Sequence, residues 1–208
     1  MSSLAAARQR TVMWSGLDDL RLEACAVSLG ADRLSAHGTQ LGTAPVPYRL
    51  DYRLETLTDF VTSELTVNAR GEGWERSLEL RHDGRGGWSC QAGGHGAESL
   101  ESAGGELDDL QAAVDCDLGL CPLTNTMPVL RHGLMDGGQH DFVMAWVSVP
   151  ALRVIRSEQR YEHVRRTDEG AVVRYVGRHR DFVGDLELDC DGLVVHYPEL
   201  ARRVSPAS

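Results

Sequence analysis

The chain alternates. From Tyr48 to Glu55 every second residue is apolar, with Tyr48, Leu50, Tyr52 and Leu54 on one side and Arg49, Asp51, Arg53 and Glu55 on the other. A period of two is the signature of a β-strand with one buried face. Trp74 to Arg81 repeats the pattern, with Trp74, Leu78 and Leu80 opposing Glu75, Ser77, Glu79 and Arg81. Phe182 to Asp189 repeats it again, with Phe182, Leu186 and Leu188 against Asp185, Glu187 and Asp189. One-sided alternation predicts antiparallel sheet with one wet face. Phe142 to Val149 is apolar on both faces and predicts an interior strand. Asp83-Gly84, Asp136-Gly137 and Asp191-Gly192 read as hairpin turns, because glycine tolerates the positive φ that such turns need.

Helical signals are few. Thr126-Met127-Pro128 predicts a short helix that stops at Gly133, with Thr124, Asn125 and Thr126 capping its free N–H groups. Such an N-terminus can also hold an anion or a sugar hydroxyl. Tyr197 to Arg203 predicts a short C-terminal helix, with Pro198 early and two arginines late. Gly84 to Gly105 reads as a long loop around one strand near Trp88. Residues 1–11 and 205–208 are expected to be disordered, and 12–204 to form a single β domain.

Trp74-x-x-x-Leu78-Glu79-Leu80-x-x-Asp83-Gly84 recurs as Phe182-x-x-x-Leu186-Glu187-Leu188-x-x-Asp191-Gly192. Two readings are open: a duplicated β unit whose halves enclose a cavity, or two hairpins that converged on common strand residues. The expected fold is mainly β in either case: a curved antiparallel sheet rolled into a partial barrel, with a few short helices.

Composition mostly removes candidates. The 208 residues carry a net charge of −10, and every basic side chain is arginine. A nucleic-acid partner is excluded by the acidic balance. An integral membrane protein is excluded because no apolar run approaches the roughly 20 residues of a spanning helix. The five cysteines, Cys25, Cys90, Cys116, Cys121 and Cys190, show no C-x-x-C spacing and read as small buried hydrophobes, which fits a reducing cytoplasm. The N-terminus lacks a secretory apolar stretch, so a cytoplasmic location is expected.

Chemistry is sparse. No nucleotide-binding glycine loop, nucleophile elbow or zinc-type histidine pair is present, so no cofactor and no metal are expected. Asp115-x-Asp117 places two carboxylates on one face of a strand. They read as a cation site, an acid/base pair, two exposed aspartates, or partners of nearby arginines. Cys116 between them points the other way and has no nameable base. Gln159-Arg160-Tyr161 mixes donors with an aromatic and suits a polar head group on an apolar body.

These residues carry a resemblance. Asp115-x-Asp117-Leu118, Pro122-x-Thr124-Asn125-Thr126-x-Pro128 and Arg131 are followed by Val149-Pro150-x-Leu152, Gln159-Arg160-Tyr161 and Asp191-Gly192-Leu193-Val194-x-x-Tyr197-Pro198. In that order, over about residues 14–203, the chain resembles the bacterial putative glycolipid-binding family, formerly a domain of unknown function. Met127 stands where leucine is usual, and Val129-Leu130-Arg131 where a more basic run is common. The resemblance implies a curved antiparallel β fold like that of lipoprotein and glycolipid carriers, and a glycolipid as ligand. It carries over no catalytic residue.

The expected function is therefore non-catalytic binding of an amphipathic ligand such as a glycolipid in a cavity of the rolled sheet. Thr124, Asn125, Arg131, Gln159, Arg160, Tyr161 and Tyr197 are the candidates for its polar end. The alternatives are a hydrolase or isomerase using Asp115 or Asp117 with a histidine, and a protein-interaction module. The residues do not set the oligomeric state.

Overall fold

The structure is a computed structural model that describes residues 7–204. Seven strands run in sequence as one meander: β1 (Arg8–Gly16), β2 (Arg21–Leu29), β3 (Leu34–Gly42), β4 (Tyr48–Thr56), β5 (Thr62–Gly71), β6 (Trp74–His82) and β7 (Trp88–His95). After a long crossover come β8 (Asp115–Leu118) and the helix α1 (Thr126–Arg131). A second meander follows: β9 (Gln139–Val147), β10 (Val154–Thr167), β11 (Gly170–Gly177), β12 (Phe182–Asp189), β13 (Val194–Tyr197) and β14 (Ala201–Arg203). All belong to one 14-stranded curved sheet, ordered β7-β6-β5-β4-β3-β2-β1-β14-β13-β12-β11-β10-β9-β8, and it does not close into a barrel. Every pairing is antiparallel except β8 with β9. No helix of the described residues is long and apolar enough to cross a membrane.

The alternation explains the buried face. Tyr48, Leu50, Tyr52 and Leu54 are all buried, as are Trp74, Leu78 and Leu80 on β6 and Leu186 and Leu188 on β12. Phe182 is only half-buried, because it stands at the open end of β12. The rings of Tyr52 and Tyr48 lie flat over Gly38 and Gly42, their cross-strand partners on β3. A Cβ at either glycine would sit 2.5 Å from the ring. Absent side chains on β3 thus make room for two tyrosines inside the curve.

The topology forces the rest. Strands β7 and β8 are consecutive but stand at opposite edges of the sheet, so residues 96–114 must cross from one to the other. The crossover is tied down on the way: the Gly104 N–H donates to the Leu152 carbonyl, and the Val154 N–H donates to the Gly104 carbonyl, both at 2.9 Å. Near its end the Trp88 indole N–H donates to the Ala113 carbonyl (3.0 Å), and the Thr62 N–H to that of Val114 (3.0 Å). The chain then passes along β8 and folds into the hollow of the sheet. Residues 122–125 form a single 3-10 turn that leads into α1. Leu123, Met127, Val129 and Leu134 are fully enclosed there. The concave face that the sequence assigns to a ligand is covered by this plug.

Several expectations need correction. The C-terminal helix is absent: Glu199 turns the chain at φ 64°, and Ala201–Arg203 becomes β14, paired with β1 through Trp14 and Arg203. The inner edge of β1 needs hydrogen-bond partners, and β14 supplies them while joining the two meanders. Asp136-Gly137 connects α1 to β9 and is not a hairpin, whereas Asp83-Gly84 and Asp191-Gly192 do join adjacent strands. Residues 8–11 lie in β1, paired with β2 from Arg8 opposite Leu29, so order begins before residue 12. Residues 1–6 and 205–208 lie outside the described residues. The helices amount to α1 and three short 3-10 turns among the described residues.

The internal match holds in the strands, since Trp74 opens β6 and Phe182 opens β12. It slips at the turns. Asp83 Oδ1 accepts from the N–H groups of Arg85 and Gly87, and Asp189 Oδ1 accepts from those of Asp191 and Leu193. The equivalent turn residues are therefore Asp83 and Asp189, two positions out of step with the sequence match.

Candidate functional site

Four of the seven candidate residues meet where the plug touches β10. Asp117 is the hub. Its Oδ1 accepts from the Thr124 hydroxyl (2.8 Å), and its Oδ2 accepts from the Gln159 amide (2.6 Å). The Gln159 amide also donates to Ser157 Oγ (3.2 Å), which sits 2.7 Å from His179 Nδ1. The Tyr161 hydroxyl donates to Asn125 Oδ1 (2.8 Å) and lies 3.2 Å from Gln159 Oε1. Ser157, Gln159 and Tyr161 all point into the hollow because they occupy alternate positions of β10. Each buried polar atom named here has a protein partner, as burial requires.

The expected capping role of Thr124, Asn125 and Thr126 is not found. No side chain caps α1; the Thr126 N–H already donates to the Leu123 carbonyl of the preceding 3-10 turn. The three side chains are thereby released to bond sideways, with the Thr126 hydroxyl donating to the Gly192 carbonyl (3.1 Å). Their work is to fasten the plug to the sheet.

Arg131 lies beside this network and makes a bidentate pair with Asp115. Nη1 donates to Oδ1 at 2.7 Å and Nη2 to Oδ2. Asp115 is fully buried and Arg131 nearly so. Burial pushes the Asp115 carboxyl above its ordinary range, and the Arg131 bonds pull in the opposite direction. Of the readings of Asp115-x-Asp117, partnership with an arginine describes Asp115, Asp117 accepts from Thr124 and Gln159, and the reading as two exposed aspartates is overturned because Asp115 is buried. Cys116 faces the opposite way and is 3.5 Å from the Thr62 hydroxyl; burial pushes its thiol up to about 12, which removes it as a nucleophile. Among the described residues no cluster of three or more histidine, cysteine or carboxylate side chains could hold a metal.

The other two candidates stand apart. Arg160 points outward and pairs with Asp141 at 2.8 Å on the wet face, because it falls between the inward positions Gln159 and Tyr161. Tyr197 is buried on β13 and joins the group through rings. Centroids step from Phe142 to Tyr161 (5.6 Å), Tyr161 to Tyr175 (5.1 Å), Tyr175 to Tyr197 (5.8 Å) and Tyr197 to Phe182 (5.7 Å). This aromatic row surfaces in a depression of about 200 Å³ lined by Phe182, Tyr197, Pro198 and Leu200, with Asp18 and Glu199 at its polar side.

A second polar cluster escaped the sequence reading. Glu23 is buried on β2 and accepts from the Tyr52 hydroxyl (2.7 Å), the Gln40 amide (3.0 Å) and the Cys121 thiol (3.1 Å). The Gln40 amide also donates to the Leu120 carbonyl (3.2 Å). Glu23 therefore holds the start of the plug as Asp117 holds its middle. Burial raises its pKa against these bonds. The signal was present: Arg21 and Glu23 fall on the same face of β2 as Cys25, Val27 and Leu29, so alternation places two charges inside.

Thiol reactivity checks this geometry. Cys190 is exposed and Cys90 half-buried, whereas Cys25, Cys116 and Cys121 are buried. Titration with an aromatic disulfide reagent is expected to modify Cys190 first and Cys90 more slowly. The other three should react only after denaturant is added; early modification of Cys121 would mean that the plug is not seated.

Comparison with known proteins agrees with the architecture. A DUF1089 family protein from Pseudomonas aeruginosa, known from its crystal structure, is similar to this chain, with a TM-score of 0.67 and 28% identity over 88% of this chain and 92% of the other. No match was found among curated proteins. The sequence profile described as Putative glycolipid-binding matches residues 11–203, nearly the whole sheet and all of the plug, and the chain belongs to that family.

Proposed function

We propose that the protein is a non-catalytic binding protein for an amphipathic ligand of the glycolipid kind, received at the open end of the aromatic row. The plug fills the hollow in which the sequence reading placed the ligand, so a buried acyl chamber would require the Glu23 and Asp117 clusters to let go. The depression at Phe182 and Tyr197 needs no such rearrangement and carries the reading. It combines an aromatic and aliphatic floor with the carboxylates of Asp18 and Glu199, the pairing of apolar body and few polar groups that ligand sites use. Of the candidate residues Tyr197 belongs to this site. Thr124, Asn125, Gln159 and Tyr161, with Arg131, act as its scaffold. Asp115 and Asp117 are consumed by protein partners, which supports binding over turnover. Cys25, Cys116 and Cys121, buried as free thiols, favour a reducing cytoplasm.

Calorimetric titration with a neutral alkyl glycoside, kept below its micellar concentration, tests the site. Saturation at one molecule per chain is expected, weakened about tenfold by Phe182→Ala, a difference of about 1.4 kcal/mol. Binding that is absent, or that Phe182→Ala leaves unchanged, overturns the assignment.

A further inference from the structure

Most strands of the sheet carry charge on the convex face; the edge strand β7 and one internal group of three adjacent strands do not. Outward positions of β4 read Arg49, Asp51, Arg53 and Glu55, and those of β10 alternate arginine with glutamate from Arg156 to Glu162. Across β1, β2 and β3 the outward positions, odd-numbered from Gln9 to Ser15, even-numbered from Leu22 to Ser28 and odd-numbered from Ser35 to Leu41, contain no aspartate, glutamate or arginine. In a chain of net charge −10, three adjacent strands with no charge at their outward positions are a departure that folding does not require.

The strip is also uneven in height. At one end stand exposed apolar side chains: Leu22 is 41% and Leu41 50% exposed, directly opposite one another in register, with Leu20 in the adjoining turn 80% exposed. Met13 and Val204 extend this patch. At the other end the side chains are small, and a depression of about 280 Å³ opens over Ala26, Ser28, Ser35 and His37, with Arg53 and Glu55 at its rim. One strip thus carries both a ridge and a hollow.

We infer that this strip is the contact surface for a second copy of the chain, packed face to face about a two-fold axis. The axis lies in the interface and runs across the strands between the Ala24 and Ala26 positions. That operation lays β2 against β2 with ends exchanged, so Leu22 of each copy enters the hollow at Ser28 of the other. Leu41 likewise meets Ser35. An isologous contact needs a self-complementary patch, and the ridge and hollow provide one. The turn bearing Asp18 and Asp19, where Asp18 is paired with Arg21, comes to lie over the loop of the second copy in which Asp32 and Arg33 pair with one another, so charge at the two ends is close to neutral in its effect. Three strands about 4.8 Å apart and eight residues long at about 3.3 Å each give a footprint of about 14 by 26 Å. With the leucines of the turn, the pair of copies buries on the order of 1,000 Å², the lower end for a specific interface and the size of a reversible dimer. A lipid surface is a poorer occupant, because a membrane has no hollow to fill or be filled, and an anionic one would repel Asp18, Asp19 and the net charge.

Sedimentation equilibrium on the full chain tests the inference. A species of twice the 22.8 kDa chain mass is expected, dissociating in the range of about 1–100 μM. Leu22→Glu is expected to weaken it at least tenfold, and Ser28→Arg likewise, with melting temperatures unchanged because both side chains point outward. The combined variant Leu22→Glu/Ser28→Arg should recover the dimer, since the new acid of one copy faces the new base of the other. A chain that stays monomeric at about 1 mM overturns the proposal, as does a dimer that ignores Leu22→Glu or a combined variant as weak as the single ones. Flotation with neutral phosphatidylcholine vesicles adds a further arm: vesicle binding abolished by Leu22→Glu in a monomeric chain would assign the leucines to a lipid surface instead. Neither Leu22 nor Ser28 lines the Phe182 depression, which the turn at Asp18 adjoins, so glycoside titration of the monomeric Leu22→Glu chain reads the ligand site separately from the dimer.

Discussion

Replacing Arg131 by methionine is expected to destabilise the protein by about 3–5 kcal/mol, read as a shift of the urea unfolding midpoint. The loss is not the value of one salt bridge. Asp115 is 1% exposed, and without Arg131 its carboxylate is left buried with no cation. Burial already raises its pKa, with Arg131 as the main opposing influence, so the variant raises it further. The pH dependence follows from linkage. Between the unfolded value, near 3.8, and the raised folded value, the native variant binds the proton more tightly than the unfolded chain does. Stability therefore falls as pH rises through that window. The deficit relative to the parent should be largest at neutral pH and should shrink in acid, where a neutral carboxyl no longer needs the guanidinium. The double variant Asp115→Leu/Arg131→Met should regain most of the loss, because removing both charges leaves nothing unpaired. If the single variant unfolds at the parent's urea concentration, Asp115 does not depend on Arg131.

Leu123→Ala is expected to cost about 2–5 kcal/mol, the range for truncating an enclosed leucine and leaving a cavity. Leu123 is fully buried at the point where the plug enters the hollow, between the Glu23 cluster on one side and the Asp117 cluster on the other. Its removal should loosen the plug before the sheet. Hydrogen exchange is then expected to rise at residues 121–135 ahead of β2 and β10, whose amides are held in the ladder on both sides. A uniform rise across all three would mean that plug and sheet unfold as one unit.

The two experiments probe the same design from opposite ends. The chain fills the interior of the sheet with a segment rich in both leucine and polar residues. Apolar groups supply most of the driving force. The buried carboxylates fix where the segment sits, because a misplaced plug would strand Glu23, Asp115 or Asp117 without donors. This division explains why so many polar residues in the family-like motif touch one another, and why several of them do not line an open surface. Only Tyr197 of the candidate group reaches the depression that the proposed ligand would enter.

Much was legible in the sequence because it is local. Alternation in Tyr48–Glu55, Trp74–Arg81 and Phe182–Asp189 reports which face of a strand is wet, and that needs no knowledge of the partner strand. Thr126–Pro128 and Gly133 bounded α1 for similar local reasons, Gly133 adopting φ 62° just past its end. Tyr197–Arg203 has helix-compatible residues, yet it forms β14 because the vacant edge of β1 offers hydrogen bonds that a two-turn helix does not match. Arg160 adjoins Gln159 and Tyr161 in sequence but not in space, because adjacent residues on a strand face opposite ways.

The sequence by itself determined the alternating strands at Tyr48–Glu55, Trp74–Arg81 and Phe182–Asp189 with their wet and dry faces, the position of α1 and, through the family motif, the curved antiparallel sheet. Tertiary structure decided which residues meet. β7 and β8 lie at opposite edges, so the chain between them must pass from one to the other, and the segment after β8 packs into the hollow. The plug's position gives Thr124, Asn125 and Arg131 hydrogen-bond partners within the protein and brings Glu23 and Cys121, 98 residues apart, into contact. Periodicity is a property of neighbours along the chain, whereas closure of the interior depends on where distant strands stand in the sheet.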